Sequence, residues 1–565
     1  MRVSVLRALA AIKINIRRYI DIFGRRLYNI LMPYPKIRLV LSKINGKIKI
    51  YRNPQKIISA GHLIKYDNYK YTDQGIQFSN GLKTPKNINV AMIVDEFSYN
   101  SYRYECNAFP LEPDNWLDIF SANKIDLFFC ESAFSGVDSQ RRPWKGQIYA
   151  SVNFEKENRV ELLKILEYCK SRKILTIFWN KEDPAHYDDR IHDFVKTALL
   201  FDHIFTTSSE CVERYKSEYG HKNTHLLMFA TQPGLFNPIE IYDRTDEIIF
   251  AGSWYRQHPA RSAEMEKILD TIMDSPYPLK IYDRQSENDD PNHKFPEKYA
   301  PFIHPRVSHD SLDIAYKGSK YALNINTVTE SATMFARRVF ELMSSNTLVL
   351  TNYSKGIDYF FGDNVAYING ADIPALNNYD EKREICLYKV LAYHTYQRRF
   401  KQILIDTGIP YLECQPSVSL RYHVADRAEA EASIDHYHRV DWLNKHCSLV
   451  VDGRSPPNEL QFIAGQYNGA AATVYSMHYN DYYNNFIEKD NAYDYVITAT
   501  TELDHVFLNK AMLHVSYLDK ATAIMPAENI REKYRLTKIQ PRGHIEHILI
   551  PLSELNSENI TVYAI

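Results

Sequence analysis

Lys181, Glu182 and Asp183 stand directly before Pro184, at the end of the apolar run 174–178. A carboxylate there can deprotonate a hydroxyl, or polarise it. Glu131, at the end of another apolar run, 125–129, offers a second base. Further along, Arg337 and Arg338 open a helical segment after the run 321–325. Backbone N–H groups and guanidinium charge at such a place can hold a diphosphate, and no metal is then required to stabilise a departing phosphate. Gly252 and Ser253 end the run 247–252, where a missing side chain lets backbone approach a phosphate. Arg256 and Arg261 can add positive charge at that place or form surface ion pairs. Glu182 and Asp183 can equally cap a following helix.

These residues need strand ends to carry them. From Asn87 short apolar runs alternate with helical segments: 90–94, 125–129, 174–178 and 203–207, with a helical stretch 159–169 between the second and third. Such runs predict a parallel sheet covered on both faces, with its binding site at the strand C-termini. Gln232-Pro233-Gly234-Leu235-Phe236-Asn237-Pro238 interrupts the pattern, and a second series follows at 247–252, 279–282, 321–325 and 347–350. The fold class expected is α/β: two Rossmann-like domains facing across a cleft, the GT-B architecture, with a small N-terminal β module and an additional C-terminal α/β domain. The intervals are 1–35, a basic amphipathic helical segment; 36–86, the β-rich module; 87–236, the first Rossmann-like domain; 237–409, the second; and 410–565, the last. Residues 380–404 read as one long helix closing the GT-B unit.

Composition limits the rest. With 68 Lys or Arg against 69 Asp or Glu the net charge is −1, which argues against a uniformly basic nucleic-acid binder. Residues 1–50 hold 12 bases and one acid, Asp21, leaving 56 bases and 68 acids afterwards. On 3–31, Leu6, Leu9, Ile16, Ile20, Phe23, Leu27 and Ile30 share a helical face, with Arg7, Arg17, Arg18, Arg25 and Arg26 off it. That pattern suits either an anionic membrane surface or packing on the body or a second copy of the chain. The seven cysteines, none in a CxxC pair, read as reduced thiols of a cytoplasmic protein, peripheral on the membrane if the first segment binds it. No run is long and apolar enough to span a bilayer. His186, His192 and His203 lack metal spacing and read as structural.

Four motifs then meet a family. Trp179-Asn180-Lys181-Glu182-Asp183-Pro184, Phe201-Asp202-His203-Ile204-Phe205-Thr206-Thr207, Phe250-Ala251-Gly252-Ser253-Trp254-Tyr255 and Arg337-Arg338-Val339-Phe340-Glu341-Leu342 resemble the CgeB-like (spore maturation protein) glycosyltransferases over about 88–405. The resemblance implies a GT-B enzyme with a nucleotide-sugar donor on the second half and the acceptor mainly on the first. It implies donor contacts from Gly252, Ser253, Arg256, Arg261, Asp283, Arg284, Arg337, Arg338 and Glu341. Trp179, Asn180 and Lys181 would meet the acceptor, and Glu182, Asp183 or Glu131 would act as the catalytic carboxylate. Asp283 and Arg284 follow a strand near the place of the nucleotide base in this fold. Glu341 matches the second acid of the E-x7-E motif of family 4 retaining glycosyltransferases. The first acid falls at Thr333, with Glu330 nearby, a departure that leaves retention or inversion open.

Residues 472–483 resemble the strand and metal-binding loop of family 2 (GT-A) glycosyltransferases, but Met477, His478, Tyr479 and Asn480 precede a lone Asp481. A GT-A site needs clustered carboxylates for its divalent ion, so a degenerate, non-catalytic remnant is expected. The function implied is transfer of a sugar from a nucleotide-sugar to a cell-surface glycan or its lipid-linked precursor, with no cofactor and no metal. A glycan-binding scaffold without activity and a polyol-phosphate transferase are the alternatives.

Overall fold

A computed structural model describes residues 82–565, apart from 242, 377–378, 414, 478–492, 520, 527–535, 537, 540–547 and 552–560. The basic segment 1–35, nearly all of the β module and Asp481 therefore lie outside the described residues.

The first sheet contains β1 (Asn89–Ile93), β2 (Asn107–Pro110), β3 (Leu127–Glu131), β4 (Leu175–Asn180), β5 (His203–Thr206) and β6 (Thr224–Leu226), all parallel, in the order β2-β1-β3-β4-β5-β6. The fully buried apolar side chains of β1, β3 and β4 point alternately into two cores, Ala91, Phe128 and Phe178 on one face and Val90, Leu127 and Ile177 on the other. This is why the strands read as continuous apolar runs rather than alternating ones.

The second sheet holds β7 (Thr245–Gly252), β8 (Leu279–Asp283), β9 (Ile303–His304), β10 (Ser319–Asn324), β11 (Leu348–Thr351) and β12 (Ala366–Tyr367), ordered β12-β11-β10-β7-β8-β9. Counted within this half, that is the 3-2-1-4-5-6 order of a dinucleotide-binding fold, whose crevice opens where the order reverses. The reversal falls between β7 and β10, just where Gly252 ends one strand and the chain leads from the other toward Arg337 and Arg338. In the first sheet it falls between β1 and β3, beside Asp95 and Glu131. The α/β expectation of two Rossmann-like halves is therefore met.

The long helix expected over 380–404 is two helices, Asp380–Tyr393 and Tyr396–Thr407. Thr395 breaks them by capping the second, its side chain accepting a hydrogen bond from the Arg398 N–H at 3.3 Å. The second helix crosses back to the first half. Tyr396, Phe400, Ile403 and Leu404 join the core beneath β1, β3 and β4, and Arg399 donates to the Met228 carbonyl at 2.9 Å and to that of Phe229 at 3.1 Å. The bend at His394 and Thr395 thus lets one chain segment tie the two halves together. The 232–238 segment is buried rather than exposed, and Gln232 Nε2 donates to the Ser101 carbonyl and to Glu105 Oε1, both at 2.8 Å.

The last sheet is mixed: β13 (Val418–Val424), β14 (Lys445–Val451), β15 (Thr473–Ser476), β16 (Tyr495–Thr498), β17 (Thr522–Met525), β18 (Lys538–Ile539), β19 (Leu549–Pro551) and β20 (Thr561–Ala564). β13 to β16 are parallel, while β19 runs antiparallel between β16 and β17. Its core also takes in Ile239, Ile241, Leu387 and Leu391, so this domain packs on the 380–393 helix. Among the described residues no helix is long and apolar enough to cross a membrane.

Candidate functional site

On the first half, three charged groups converge at the strand ends. Asp95 follows β1 and caps the helix Glu96–Tyr102, its Oδ1 accepting from the Ser98 N–H at 2.8 Å. Lys181 follows β4; its ammonium lies 2.8 Å from Glu131 Oε1 and also pairs with Asp95 Oδ2. Glu131 Oε1 accepts in addition from the Asp95 N–H at 2.6 Å. Burial and the neighbouring Asp95 push the Glu131 carboxyl up to about 7, against the pull of Lys181. Burial also opposes charge on Asp95, but Lys181 and Arg337 outweigh it and hold Asp95 below its ordinary value. Lys181 is thus shared between a carboxylate held ionised, Asp95, and one whose charge burial opposes, Glu131. Lys181 and Glu131 are committed to each other in the interior.

Asp183 is fully buried and spent internally. Its carboxylate accepts from Thr206 Oγ1 at 2.7 Å and from Asn180 Nδ2 at 2.8 Å. Trp179 is likewise buried and donates from Nε1 to the Leu227 carbonyl at 3.0 Å, and Asn180 reaches the Tyr215 hydroxyl at 2.9 Å. Neither Glu182 nor Asp183 caps a helix; the next one, Phe194–Ala198, is capped by Asp193. Of the sequence-selected carboxylates only Glu182 keeps partial exposure, and burial raises its carboxyl above the ordinary value.

Burial pushes the Asp183 carboxyl up to about 7, the Thr206 and Tyr215 hydroxyls opposing it. The folded state then holds a proton that the unfolded chain releases near pH 4, so this group's stabilisation is complete below about pH 4 and lost as pH rises through about 7. Replacing Asp183 by Asn is expected to flatten that loss, read as melting temperature against pH from about 4 to 7.

On the second half the site is built around Gly252. Arg284 N donates to the Gly252 carbonyl at 2.9 Å, and Arg284 Nε to Ser253 Oγ at 3.2 Å. Arg261 lies over the Tyr255 ring at 5.1 Å and reaches the Ser253 carbonyl at 3.4 Å. The Arg338 guanidinium sits over the Phe250 ring at 5.2 Å. Burial and then the charges of Arg338 and Arg284 lower Arg261 to about 10, partly offset by Tyr255 and Glu264. Among the described residues none of these three guanidiniums has an ion-pair partner within 4.0 Å. Three cations gathered at the crevice of a dinucleotide-type sheet are a ready anion site. Asp283 turns inward, its Oδ1 accepting from the Gln285 N–H at 2.9 Å, and Arg256 is exposed.

Arg337 and Arg338 diverge. The loop before them is pinned by Asn326 Oδ1, which accepts from the Ala336 N–H at 3.0 Å. The helix that follows, Arg338–Ser344, has only seven residues, so side-chain charge rather than a long helix dipole supplies the field. Arg337 turns the other way. Its Nε donates to Glu341 Oε1 at 2.7 Å, and its guanidinium lies 4.4 Å over the Phe97 ring of the first half. Glu341 is buried with His309 Nε2 at 3.8 Å and the Tyr316 hydroxyl at 3.3 Å; burial opposes its charge, yet Arg337 and His309 draw the carboxyl down to about 2. Phe97 and His309, which touch edge to face at 4.7 Å, were not singled out in the sequence, since neither has a neighbour-spacing signal.

Thr333, where the E-x7-E pattern would place an acid, joins the halves instead. Its Oγ1 donates to the Thr207 carbonyl and accepts from the Ser209 N–H, both at 2.9 Å. Glu210 meets the same loop from the first half, accepting from the Ala332 N–H at 2.8 Å and from Ser331 Oγ at 2.9 Å. Glu330 is exposed.

A Cβ at Gly252 would lie 2.5 Å from the Phe250 ring and 3.1 Å from Arg338 Nη2. Gly252→Ala is therefore expected to displace the Phe250 ring and the guanidinium and to destabilise the fold by about 1–3 kcal/mol, the usual cost of overpacking, as measured by denaturant unfolding.

Residues 261–405, most of the second half, match a family model described as glycosyl transferase-like. No curated protein matches the chain. Among solved structures it is similar to an alpha-glucosyltransferase in complex with UDP and a 13-mer DNA containing a HMU base, with TM-score 0.41 and 8% identity over 57% of this chain and 100% of that one. A glycosyltransferase from Rickettsia africae ESF-5 gives TM-score 0.36 and 11% identity over 57% and 98%. TarM gives 0.26 and 12% over 51% and 52%. The family match, lying on the second of two dinucleotide-type sheets, makes this chain an enzyme of the glycosyltransferase kind with a GT-B fold.

Proposed function

We propose that the two Rossmann-like halves transfer a sugar from a nucleotide-sugar to a glycan or lipid-linked acceptor of the cell surface, as a CgeB-like enzyme. The observation that carries this reading is the cluster of Arg261, Arg284 and Arg338 around Gly252 and Ser253, which has charge enough to hold a diphosphate without a metal ion. Electrostatic stabilisation of the leaving diphosphate, together with positioning, would supply most of the rate. Glu182, the partly exposed carboxylate at the end of β4, is the group we assign to the acceptor hydroxyl. Asp95, Glu131 and Lys181 hold that strand end in shape. The last domain serves as a non-catalytic GT-A remnant in assembly or acceptor binding, and residues 1–35 hold the enzyme on an anionic membrane from the cytoplasmic side.

The test is a thermal-shift titration of the full chain with UDP, GDP, CDP and ADP in the presence of a chelator. A ligand at about 100 times its Kd stabilises the native state by about 2.7 kcal/mol. One of the four is expected to raise the melting temperature by several degrees, and Arg284→Ala to remove that shift. No shift with any of them would favour an inactive scaffold.

A further inference from the structure

We propose that His186, Asp189 and His192, on the turn-rich segment between β4 and the helix Phe194–Ala198, form a binding site for a divalent transition-metal ion, zinc foremost. One donor atom from each lies within 4.8 Å of the others. Asp189 Oδ2 sits 2.8 Å from His186 Nδ1 and 3.0 Å from His192 Nδ1. An ion bound tetrahedrally at about 2.0–2.1 Å from nitrogen and oxygen donors separates those donors by about 3.3 Å. The two Asp189–histidine separations of 2.8 and 3.0 Å thus need to open by only about 0.3–0.5 Å to admit it, and the two histidine donors already lie within 4.8 Å of each other.

The surrounding structure aims the donors. Asp189 Oδ1 accepts from the Ile191 N–H at 2.7 Å and from the His192 N–H at 3.2 Å, which turns Oδ2 toward both rings. Phe134 meets the His186 and His192 rings edge to face at 6.2 and 5.4 Å, and Tyr149 meets His192 at 4.9 Å. An aromatic wall therefore backs the cluster on one side. On the other it is open: the three side chains keep 32%, 22% and 34% exposure in sequence order. Three protein donors with an open side are the pattern of a site that leaves a position for water or a ligand oxygen. Two imidazoles and one carboxylate suit zinc better than magnesium or calcium, which prefer all-oxygen shells.

The cluster lies on the first half and is distinct from the arginine cluster of the second, so it does not depend on the donor reading. The His186 N–H donates to the Glu182 carbonyl at 3.0 Å, which places the segment beside the partly exposed carboxylate assigned to the acceptor. An ion there would stiffen the segment that presents Glu182.

Full-length protein stripped with chelator and dialysed should bind one equivalent of Zn²⁺ in calorimetric titration. With Co²⁺ it should develop the intense visible d–d bands of a tetrahedral site. His186→Asn and His192→Asn should each lower Zn²⁺ affinity by more than about 100-fold, beyond the 10–100-fold that losing an outer hydrogen-bond partner costs. His203→Asn, whose ring pairs with His225 at 3.1 Å, should leave binding unchanged. Absence of tetrahedral Co²⁺ bands in the unaltered protein, or affinity that survives both substitutions, would overturn the proposal. The Co²⁺ spectrum is read on the unaltered chain, so a variant that fails to fold leaves the test intact.

Discussion

Arg338→Ala is expected to lower sugar transfer by about 10²–10³-fold, the loss typical of removing one donor aimed at developing transition-state charge. The side chain is placed at Gly252, in a cluster of three guanidiniums with no ion-pair partner within 4.0 Å among the described residues. Removing one cation relieves the other two of repulsion, so folding should be preserved and Arg261 should return toward its ordinary value. Arg338→Lys should recover little, because a point charge does not reproduce a planar fork on a diphosphate. The check is product formation with the nucleotide-sugar whose diphosphate gives the thermal shift, alongside circular dichroism for folding. Turnover within about twofold of the unaltered enzyme would remove Arg338 from the site, since such a change corresponds to less than about 0.5 kcal/mol of transition-state stabilisation.

Arg337→Ala should act differently, through stability. It strips the 2.7 Å partner from Glu341, a carboxylate whose side chain is only 4% exposed, and removes the cation that packs on Phe97 across the halves. Breaking a buried pair from one side typically costs about 3–5 kcal/mol. His309 at 3.8 Å and the Tyr316 hydroxyl can recover part of it. Denaturant unfolding should show the loss, and adding Glu341→Gln should restore much of it, because the two residues form one unit. The pH dependence has a definite sign. The Glu341 carboxyl is drawn down to about 2, so its contribution is present above about pH 4.5 and disappears as pH falls through about 2. In Arg337→Ala that acid-sensitive part should largely vanish. Activity should fall as well, since Asp95 loses a cation that helps keep it ionised and the two halves lose a contact.

These two neighbours show where reading residues in order stops being informative. Adjacent residues at a helix start point about 100° apart, so Arg337 and Arg338, indistinguishable as a pair of bases, serve different surfaces. Glu341 carries a similar lesson. One turn from Arg337 it matches a ribose-binding acid by spacing, yet in the fold it is the buried partner of that arginine and of His309. Thr333 sits where an acid is missing because that loop docks on Thr207 and Ser209. The polar cluster after β4 was visible as chemistry at a strand end, but burial divides it. Trp179, Asn180 and Asp183 are interior, Lys181 is locked to Asp95 and Glu131, and Glu182 alone keeps access.

Four strands of each parallel sheet and the strand ends that face the crevices are written locally, since apolar runs of strand length punctuated by polar turns need no distant partner to be recognised; the short outer strands β2, β6, β9 and β12 carry no such run. Even the helix break at Thr395 has a local cause, a capping side chain. Which arginine meets the crevice and which carboxylates burial pushes up were decided only when the chain closed on itself, whereas His186, Asp189 and His192 meet within one local turn segment. Burial and charge neighbours are properties of residues brought together from far apart in the chain, and no spacing along it encodes them.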